Sequence, residues 1–136
     1  MENCLFCNII SGEIPAEIVF ENDNVLAFLD INPVNKGHVL VVPKVHSEDL
    51  LTSSGEILRN VISVVPKIAE AIMKSLEYEG FNLGVNNGKV AGQVIDHLHF
   101  HIMPRKDGDG HKLFVGKPYR DGEINEVGAK IKESLK

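Results

Sequence analysis

Apolar residues alternate with polar ones, or run together, in five short stretches of this 136-residue chain. Stretches of this length and pattern predict β-strands. The turn-rich connection at residues 21–24 is expected to join the first two strands as a hairpin. The predicted strands lie at residues 17–20, 25–30, 38–43, 81–86 and 97–102.

A longer apolar stripe, with the 3.6-residue period of an α-helix, separates the third and fourth predicted strands. A capping box from Ser53 to Glu56 is expected to begin this helix, and Gly80 to end it. Pro66 lies inside the stripe and removes one backbone hydrogen bond, so we expect a kink or two separate helices. The stripe comprises Ile57, Leu58, Val61, Ile62, Val65, Ile68, Ala69, Ile72, Met73 and Leu76.

Two shorter segments also have helical spacing. Residues 5–10 predict a short N-terminal helix that Ser11 and Gly12 end, and residues 123–135 predict a weakly amphipathic helix. Strands grouped around one long helix, with hairpin-length connections, are typical of an antiparallel sheet in an α+β domain. Without repeats or linker-like runs, the chain is expected to form a single domain over residues 1–136.

Composition narrows the classes of function. Hydrophobic residues make up 43% of the chain and charged residues 24%, as is usual for a globular protein. The net charge of −5 argues against nucleic-acid binding. No apolar run approaches the roughly 20 residues of a membrane span, and residues 1–4 lack the features of a signal peptide. We therefore expect a soluble cytoplasmic protein that binds neither nucleic acid nor membrane.

Three of the six histidines occupy every second position of the last predicted strand. This spacing places His97, His99 and His101 on one face, with neighbours about 6.6–6.8 Å apart along the strand. A lone histidine is commonly structural, but a row of imidazoles gives packing nothing that threonine or valine would not. We interpret the row as functional.

Two kinds of chemistry suit such a row. Two of the imidazoles could hold a metal ion. Alternatively, one imidazole could attack a phosphate while others donate hydrogen bonds to it, because a pKa of about 6.5 lets neutral and protonated rings coexist. The chain has no Walker A or Gly-x-Gly-x-x-Gly sequence, so a phosphate would have to bind at a site of this kind.

The only two cysteines, Cys4 and Cys7, form a Cys-x-x-Cys pair. Two cysteines cannot build a secreted disulfide framework. From the residues alone, the pair could be half of a zinc site, a redox dithiol or two small apolar residues.

The run His-Leu-His-Phe-His-Ile-Met at residues 97–103 resembles the signature of the histidine triad (HIT) family, in which three histidines alternate with apolar residues. Further blocks, in the same order along the chain, resemble the Hint branch of that family. These blocks lie at residues 6–10, 13–15, 27–30, 37–44, 85–86, 92–93 and 103–105.

The resemblance implies a fold and an activity. The fold would be a five-stranded antiparallel sheet with one long helix and a short N-terminal helix, and two copies would form a homodimer by joining their sheets. The activity would be that of a nucleotide hydrolase of the adenosine 5'-monophosphoramidase type. Such an enzyme attacks the α-phosphate of a purine nucleotide derivative through a nucleotidyl-histidine intermediate.

The resemblance also implies roles for individual residues. His99 corresponds to the nucleophile, and Asp30 to the carboxylate that binds the ribose. The remaining catalytic histidines would be His38, His97 and His101; the apolar base pocket Leu5, Phe6, Ile9 and Phe28; and the polar groups near ribose and phosphate Asn86 and Gln93.

A zinc ion is implied as well, because some relatives bind one through a Cys-x-x-Cys pair and two histidines. Here the four positions are Cys4, Cys7, His46 and His97, so we expect a structural zinc rather than a catalytic one. Such an ion would tie the N-terminal helix to the sheet and fix the tautomer of His97.

One position departs from the family pattern. Many Hint-like proteins carry a serine or threonine hydroxyl after the glutamine, whereas this chain has Val94, which cannot donate a hydrogen bond. We expect a histidine or a backbone group to protonate the leaving group instead. The remaining alternatives are a dinucleoside polyphosphate hydrolase, a zinc-dependent hydrolase that uses the histidine row as metal ligands, and a nucleotide-binding module with residual catalysis.

The other charged residues near these blocks are interpreted as ordinary surface groups. His111 follows a glycine-rich stretch and is expected to be a solvated loop residue. Lys44, Arg105 and Lys106 could attract a phosphate, but we expect them to be scattered surface cations.

Overall fold

A computed structural model of the chain describes residues 3–136. Within them, five strands form one antiparallel sheet of order β1-β2-β3-β5-β4. The predicted fold, with its long helix and short N-terminal helix, is confirmed. The strands are β1 (Ile18–Glu21), β2 (Val25–Leu29), β3 (Val39–Pro43), β4 (Gly80–Val85) and β5 (Phe100–Arg105), and the helices α1 (Leu5–Ile10), α2 (Gly55–Leu76) and α3 (Glu123–Ser134).

Four of the five strands lie within one residue of their predicted bounds, but β5 begins at Phe100 rather than at residue 97. Its pairing with β3 stops at the Val41–Phe100 pair. Beyond that pair, the His97 ring donates to the Pro43 carbonyl, and the amide of Leu98 donates to the carbonyl of Ser47. These bonds replace the strand ladder, so the first two histidines of the row precede β5.

Helix α2 is one continuous element of 22 residues, so the prediction of two helices was wrong. Pro66 lies on its exposed face, where the carbonyl that loses its partner can bind water. The N-cap is Ser54, whose hydroxyl accepts from the amide of Ile57 at 3.2 Å, rather than the predicted Ser53. The helix ends at Glu77, which adopts left-handed geometry (φ 61°), and not at the predicted Gly80.

The two faces of the sheet carry different layers. On one face, alternate strand residues such as Val41 and Ile102 pack under α2. On the other face, Leu40 and Phe28 pack against α1 through Phe6. His101 is paired directly with Leu40 and therefore lies on the α1 face. The histidine row thus belongs to the side of the sheet that α1 covers.

The C-terminal part of the chain packs less closely. Residues 106–122 contain no helix or strand, and α3 confirms the predicted helix at the end of the chain, with none of its side chains buried. Of the helices between residues 3 and 136, none combines the length and the apolar character that crossing a membrane would need.

Candidate active site and metal centre

The structure keeps the alternation of the histidine row although only His101 lies in a strand. His97 is fully buried and His99 is nearly so. The rings of His99 and His101 are 5.0 Å apart between centroids, and His38, which precedes β3, lies 5.2 Å from His101. Three imidazoles therefore lie side by side on the α1 face.

His99 is held in a single tautomer by its own main chain. Its Nδ1 lies 2.7 Å from the carbonyl oxygen of His97, and a carbonyl can only accept, so Nδ1 carries the proton. In the neutral ring, Nε2 then carries the lone pair. The ring of Phe6 contacts that of His99 edge to face at 5.0 Å and fixes its orientation. The arrangement presents an unprotonated nitrogen, as a nucleophile requires.

His38 and His101 are linked in a defined order of donors. The backbone amide of Val34 donates to Nδ1 of His38 at 3.0 Å, so the proton of the neutral ring is on Nε2. Nε2 of His38 lies 2.9 Å from Nδ1 of His101, which accepts that proton. The proton of neutral His101 is then on Nε2, which is buried and has no hydrogen-bond partner among residues 3–136. A buried donor of this kind needs an acceptor, which a bound phosphate or leaving group would provide.

Burial keeps these rings neutral near pH 7. It lowers the pKa of His38 and of His99, although the Asp30 carboxylate opposes the shift in both. The pKa of His101 falls to about 4, because burial is reinforced by the neighbouring His99 and His38. A neutral His101 therefore has one N–H to donate, on Nε2.

Asp30 lies at the end of β2 beside the histidines. One carboxylate oxygen accepts from the amide of Asn32 at 2.8 Å and forms a local turn. The other oxygen lies 3.6 Å from Nε2 of His38. The side chain is 19% exposed, so this second oxygen remains within reach of a ligand. Asp30 thus shapes its loop and also offers an acceptor beside the row.

The four apolar residues assigned to the base pocket do not share one environment. Phe6, Ile9 and Phe28 are buried together, with the Phe6 and Phe28 rings 5.5 Å apart. Leu5 is 40% exposed on the opposite side of α1. The aromatic pair is continuous with His99, whereas Leu5 faces a separate cavity of about 550 Å³.

A cavity of about 600 Å³ opens beside His101 and His38. Asn86 lines it, together with Met103 and Phe114. This cavity is therefore bordered by β4, β5 and the segment after β5.

The two residues that follow the 3₁₀ turn at Lys89–Ala91 lie elsewhere. Gln93 is buried, and its amide group bonds with backbone groups of Gly88, Glu48 and Ile95. Val94 is 86% exposed and lines the same cavity as Leu5. In this arrangement, Gln93 holds the loop that leads into the histidine row.

The predicted metal ligands form a compact cluster. Candidate ligand atoms of Cys4, Cys7, His46 and His97 all lie within 4.8 Å of one another. Nδ1 of His97 is 3.4 Å from Sγ of Cys4 and 3.6 Å from Sγ of Cys7, and Nδ1 of His46 is 3.3 Å from Sγ of Cys7. Tetrahedral zinc, with bonds of about 2.3 Å to sulfur and 2.0–2.1 Å to nitrogen, requires sulfur–nitrogen separations of about 3.5 Å.

The surroundings of the cluster suit a metal ion as well. Nε2 of His97 donates to the Pro43 carbonyl at 2.8 Å, which leaves the lone pair on the Nδ1 that faces the thiols. Burial and the neighbouring Cys4 raise the pKa of the Cys7 thiol, and a divalent cation would reverse that effect by stabilising thiolates. The residues present therefore fit zinc.

A second group of potential ligands comprises Asp30, His38 and His101. Within residues 3–136, His99 belongs to neither group. The row is therefore divided, with His97 turned toward the thiols and His101 toward His38. This division disfavours the interpretation of the row as one metal centre.

A hydrogen-bond network at the end of β5 was not predicted from the sequence. Arg105 was expected to be a free surface cation, but its guanidinium binds the carboxylate of Asp109 through Nε at 2.7 Å and Nη2 at 3.0 Å. His111 is exposed as expected, yet its Nε2 donates to the carbonyl of Val34 at 2.8 Å. The spacing of Arg105 and Asp109 around a glycine turn was the one available sequence signal.

The chain is similar to proteins of one known family over most of its length. The model of the HIT domain matches residues 11–108. The chain is 50% identical over 129 residues to an uncharacterised HIT-like protein of Methanocaldococcus jannaschii, covering 95% of this chain and 98% of that protein. It is 38% identical over 138 aligned positions to an adenosine 5'-monophosphoramidase of Candida albicans, covering 98% and 90%.

Two solved structures are also similar. A protein of Streptococcus mutans superposes with a TM-score of 0.95 at 36% identity, over 100% of this chain and 87% of that one. A zinc-bound histidine triad family protein of Mycobacterium smegmatis superposes with a TM-score of 0.78 at 35% identity, over 98% of both chains.

Proposed function

We propose that this chain, which belongs to the histidine triad (HIT) family, hydrolyses nucleotide derivatives at the α-phosphate, as an adenosine 5'-monophosphoramidase does. The Candida albicans relative has that name. The observation that carries the proposal is the hydrogen bond of 2.7 Å from Nδ1 of His99 to the His97 carbonyl, which leaves a lone pair on Nε2. Beside it lies Nε2–H of His101, a buried donor without a partner in the part of the chain that the structure describes.

In the first step, Nε2 of His99 attacks the α-phosphorus and the bond to the leaving nitrogen breaks. The His99 ring becomes cationic because Nδ1 keeps its proton, and the His97 carbonyl stabilises that charge. Nε2–H of His101 donates a hydrogen bond to the departing nitrogen, which takes a proton from a water molecule and leaves as an amine, so that a hydroxide ion remains. This assignment takes the place of the hydroxyl that Val94 lacks.

In the second step, a water molecule attacks the phosphorus of the nucleotidyl-histidine. The hydroxide left by the first step takes one proton from this water, Nε2–H of His101 donates a hydrogen bond to a phosphate oxygen, and the bond between His99 and phosphorus breaks. The products are the nucleoside monophosphate and the neutral rings in their starting tautomers. Atoms and protons balance over the two steps, since one water is consumed and one amine is released.

Binding of the nucleoside is assigned to the other side of His99. The free oxygen of Asp30 is a suitable acceptor for the ribose hydroxyls, and it lies 3.6 Å from His38. The buried Phe6–Phe28 pair continues from His99 on the α1 side and supplies an apolar wall for a purine base, with Ile9 adjoining, whereas Leu5 faces the separate cavity. Asn86 lines the opposite, leaving-group cavity.

Zinc is proposed as a structural ion held by Cys4, Cys7, His46 and His97. When bound, it would supply a cross-link between α1 and the segment before β5, and no chemical step. The zinc-bound relative of Mycobacterium smegmatis and the separations of 3.3–3.6 Å support this assignment. Thiolate ligands persist in a reducing compartment, which supports a cytoplasmic location.

A homodimer is proposed through β4, which lies at the edge of the sheet. An edge strand leaves backbone groups unpaired, and β4 also exposes Phe81 (37%) and Leu83 (41%). Pairing of two β4 strands would join the sheets and cover both side chains. Sedimentation analysis should give twice the chain mass, and a monomer at micromolar concentration would contradict the proposal.

Turnover of adenosine phosphoramidate and of diadenosine tetraphosphate, by wild type and His99→Ala, tests the reaction. We expect faster turnover of the phosphoramidate, its loss in the variant, and an acid-labile adenylyl group trapped on the wild type only. Preference for diadenosine tetraphosphate would favour the dinucleotide alternative. Full activity of His99→Ala would refute the mechanism, and binding of AMP without turnover of either compound would indicate a binding module.

A further inference from the structure

The loop between β2 and β3, residues 30–38, carries both Asp30 and His38, and the turn after β5 holds it in place. We propose that Asp109 of that turn, with Asn35 and His111, is a positioning residue that sets the tautomer of His38 and thereby the donor nitrogen of His101. None of the three belongs to the set of site residues derived above. The inference rests on the proposed function only for the catalytic consequence, not for the tautomer.

Asp109 is the centre of the contact. Its side chain is 3% exposed, and its carboxylate accepts two hydrogen bonds from Arg105. Oδ2 also accepts from Nδ2 of Asn35 at 2.9 Å, and Oδ1 from the amide of His111 at 3.0 Å. The Arg105 guanidinium, more than any other group, holds the pKa of this carboxyl well below its usual range. Asp109 is therefore an ionised carboxylate in a fixed orientation.

The network binds the loop at Asn35 and at the carbonyl of Val34, next to the Val34 amide that contacts His38. Asn35, one residue after Val34, binds Asp109 and also donates to the carbonyl of Pro104 at 2.9 Å. The carbonyl of Val34 itself accepts from Nε2 of His111 at 2.8 Å. With these two attachments, the amide of Val34 points at Nδ1 of His38, 3.0 Å away.

That amide decides where the protons lie on two rings. While the amide of Val34 donates to Nδ1 of His38, that ring carries its proton on Nε2. From Nε2 it donates a hydrogen bond to Nδ1 of His101, 2.9 Å away. Neutral His101 then carries its proton on Nε2, the buried nitrogen that has no hydrogen-bond partner among the described residues. Without the Val34 bond, the reverse order becomes accessible, in which Nδ1 of His101 donates to His38 and Nε2 of His101 carries only a lone pair. The reverse order removes the donor that the phosphate or leaving group needs.

A purely structural role for Asp109 predicts something different. A network that only fastened the turn would lower the stability of the fold and leave the ring nitrogens unchanged. The positioning role predicts a change on two imidazoles that Asp109 does not touch. The ring nitrogens are therefore the decisive observable.

The experiment compares Asp109→Asn with Asp107→Asn in the full-length protein. Asp107 lies two residues away, is exposed and removes the same charge, so it is a matched control. Nitrogen-15 spectra of the histidine rings, recorded near pH 7 without ligand, report which nitrogen of His38 and His101 is protonated. We expect one tautomer in wild type and Asp107→Asn, and a mixture on both rings in Asp109→Asn.

The catalytic readout should follow the tautomer. For adenosine phosphoramidate, kcat of Asp109→Asn should fall on the order of tenfold to a hundredfold, because a displaced donor costs that much, while KM changes little. Asp107→Asn should match wild type in both constants. Single, unchanged tautomers in Asp109→Asn would overturn the inference, whatever the stability of the variant.

Should Asp109→Asn fail to fold, His111→Ala and His111→Gln replace it. His111 is exposed, so truncation is tolerated, and the amide nitrogen of glutamine can donate to the Val34 carbonyl as Nε2 does. We expect His111→Ala to shift the tautomers in the same direction by less, and His111→Gln to restore them. Equal spectra for wild type and both variants would overturn the inference. If wild type hydrolysed no nucleotide, the proposed function would fail while the ring-nitrogen result still decided this inference.

Discussion

His97 and His99 are two residues apart and both buried, yet their rings are set in opposite ways. His97 donates from Nε2 to the carbonyl of Pro43, so its lone pair lies on Nδ1 and faces two thiols. His99 donates from Nδ1 to the carbonyl of His97, so its lone pair lies on Nε2, and the centroid of its ring is 5.0 Å from that of His101. We therefore propose the same side chain as a metal ligand in one position and as a nucleophile in the other, because each ring donates to a different backbone oxygen.

The two regions are also physically coupled. The ring of His97 belongs to the cluster with Cys4, Cys7 and His46. Its backbone carbonyl accepts the hydrogen bond from Nδ1 of His99. Cys4, the N-cap of α1, and Cys7, in its first turn, belong to the cluster. Phe6 lies between them in the sequence and packs on His99. Changes in the Cys/His cluster should therefore affect catalysis by displacing His99. Changes at His99, His101 or His38 should have no effect on metal binding, because none of them belongs to the cluster. This asymmetry can be tested.

The largest expected effect separates the two regions at His99. In His99→Ala, kcat for adenosine phosphoramidate should fall on the order of 10⁴-fold or more, because no other group replaces the nucleophile. Zinc content should stay at one ion per chain, measured by elemental analysis of protein purified with zinc present. Loss of zinc together with activity would show that the two regions are not separable in this way.

The reverse experiment removes a thiol. Cys7→Ser should reduce zinc well below one ion per chain, because a hydroxyl does not replace a thiolate ligand. The Tm should fall by at least about 3 °C, as a cross-link worth about 1 kcal/mol or more is lost. Activity should fall only about tenfold to a hundredfold, the usual effect of disturbing groups around a site.

Strong chelation of the wild type is the companion measurement, since it leaves the sequence unchanged. It should reproduce the loss of stability while part of the activity survives. Abolition of all activity by chelation, with recovery on addition of zinc, would instead support a zinc-dependent hydrolase. One zinc per chain in Cys7→Ser would remove the proposed ligand set.

Two features of these regions could be predicted from the sequence, the shared face of the histidines and the Cys/His cluster. Alternation placed His99 and His101 on one face although β5 begins only at Phe100, because an extended chain keeps period two whether or not it is paired in a sheet. The Cys-x-x-Cys spacing left three interpretations open, and the resemblance to zinc-binding relatives added His46 and His97, which the structure brings within 4.8 Å of the thiols. These features depend on local geometry, on a short motif or on family resemblance.

What could not be predicted depends on contacts between distant backbone groups. The opposite tautomers of His97 and His99 follow from carbonyl positions, which no pattern of side chains encodes. The contact of Asn35 with Asp109 joins residues 74 positions apart, so Arg105 and His111 read as ordinary surface groups. Pro66 failed as a helix breaker because its cost depends on exposure, and it faces solvent.

A moderate effect is expected from pH, and it concerns the imidazole row. The pKa of His101 is about 4 in the folded protein and about 6.5 when unfolded, so the unfolded state binds a proton first as pH falls. The free energy of unfolding should therefore decrease between pH 6.5 and 4, and His101 contributes no pH dependence above that window. Urea unfolding at several pH values measures the slope.

His101→Asn is the control for this prediction, since its amide oxygen can still accept from His38. Its slope should be shallower than that of wild type by up to one proton, because the titrating group is gone while other histidines remain. Identical slopes would mean that His101 titrates normally and does not act as a buried neutral donor.

The smallest effect concerns the leaving group. Val94→Ser restores a hydroxyl next to Gln93, but position 94 lines a different cavity from the one beside His101, so kcat on substrates with amine leaving groups should change by less than about twofold, the effect of the weakest added hydrogen bond. Val94 is 86% exposed and lines the cavity beside the metal cluster, so the change should leave stability unaffected. The matched control is Val94→Ala, which removes the branched side chain without adding a donor. We expect equal turnover by both variants, and faster turnover by Val94→Ser would show that position 94, and not the cavity beside His101, governs departure of the amine.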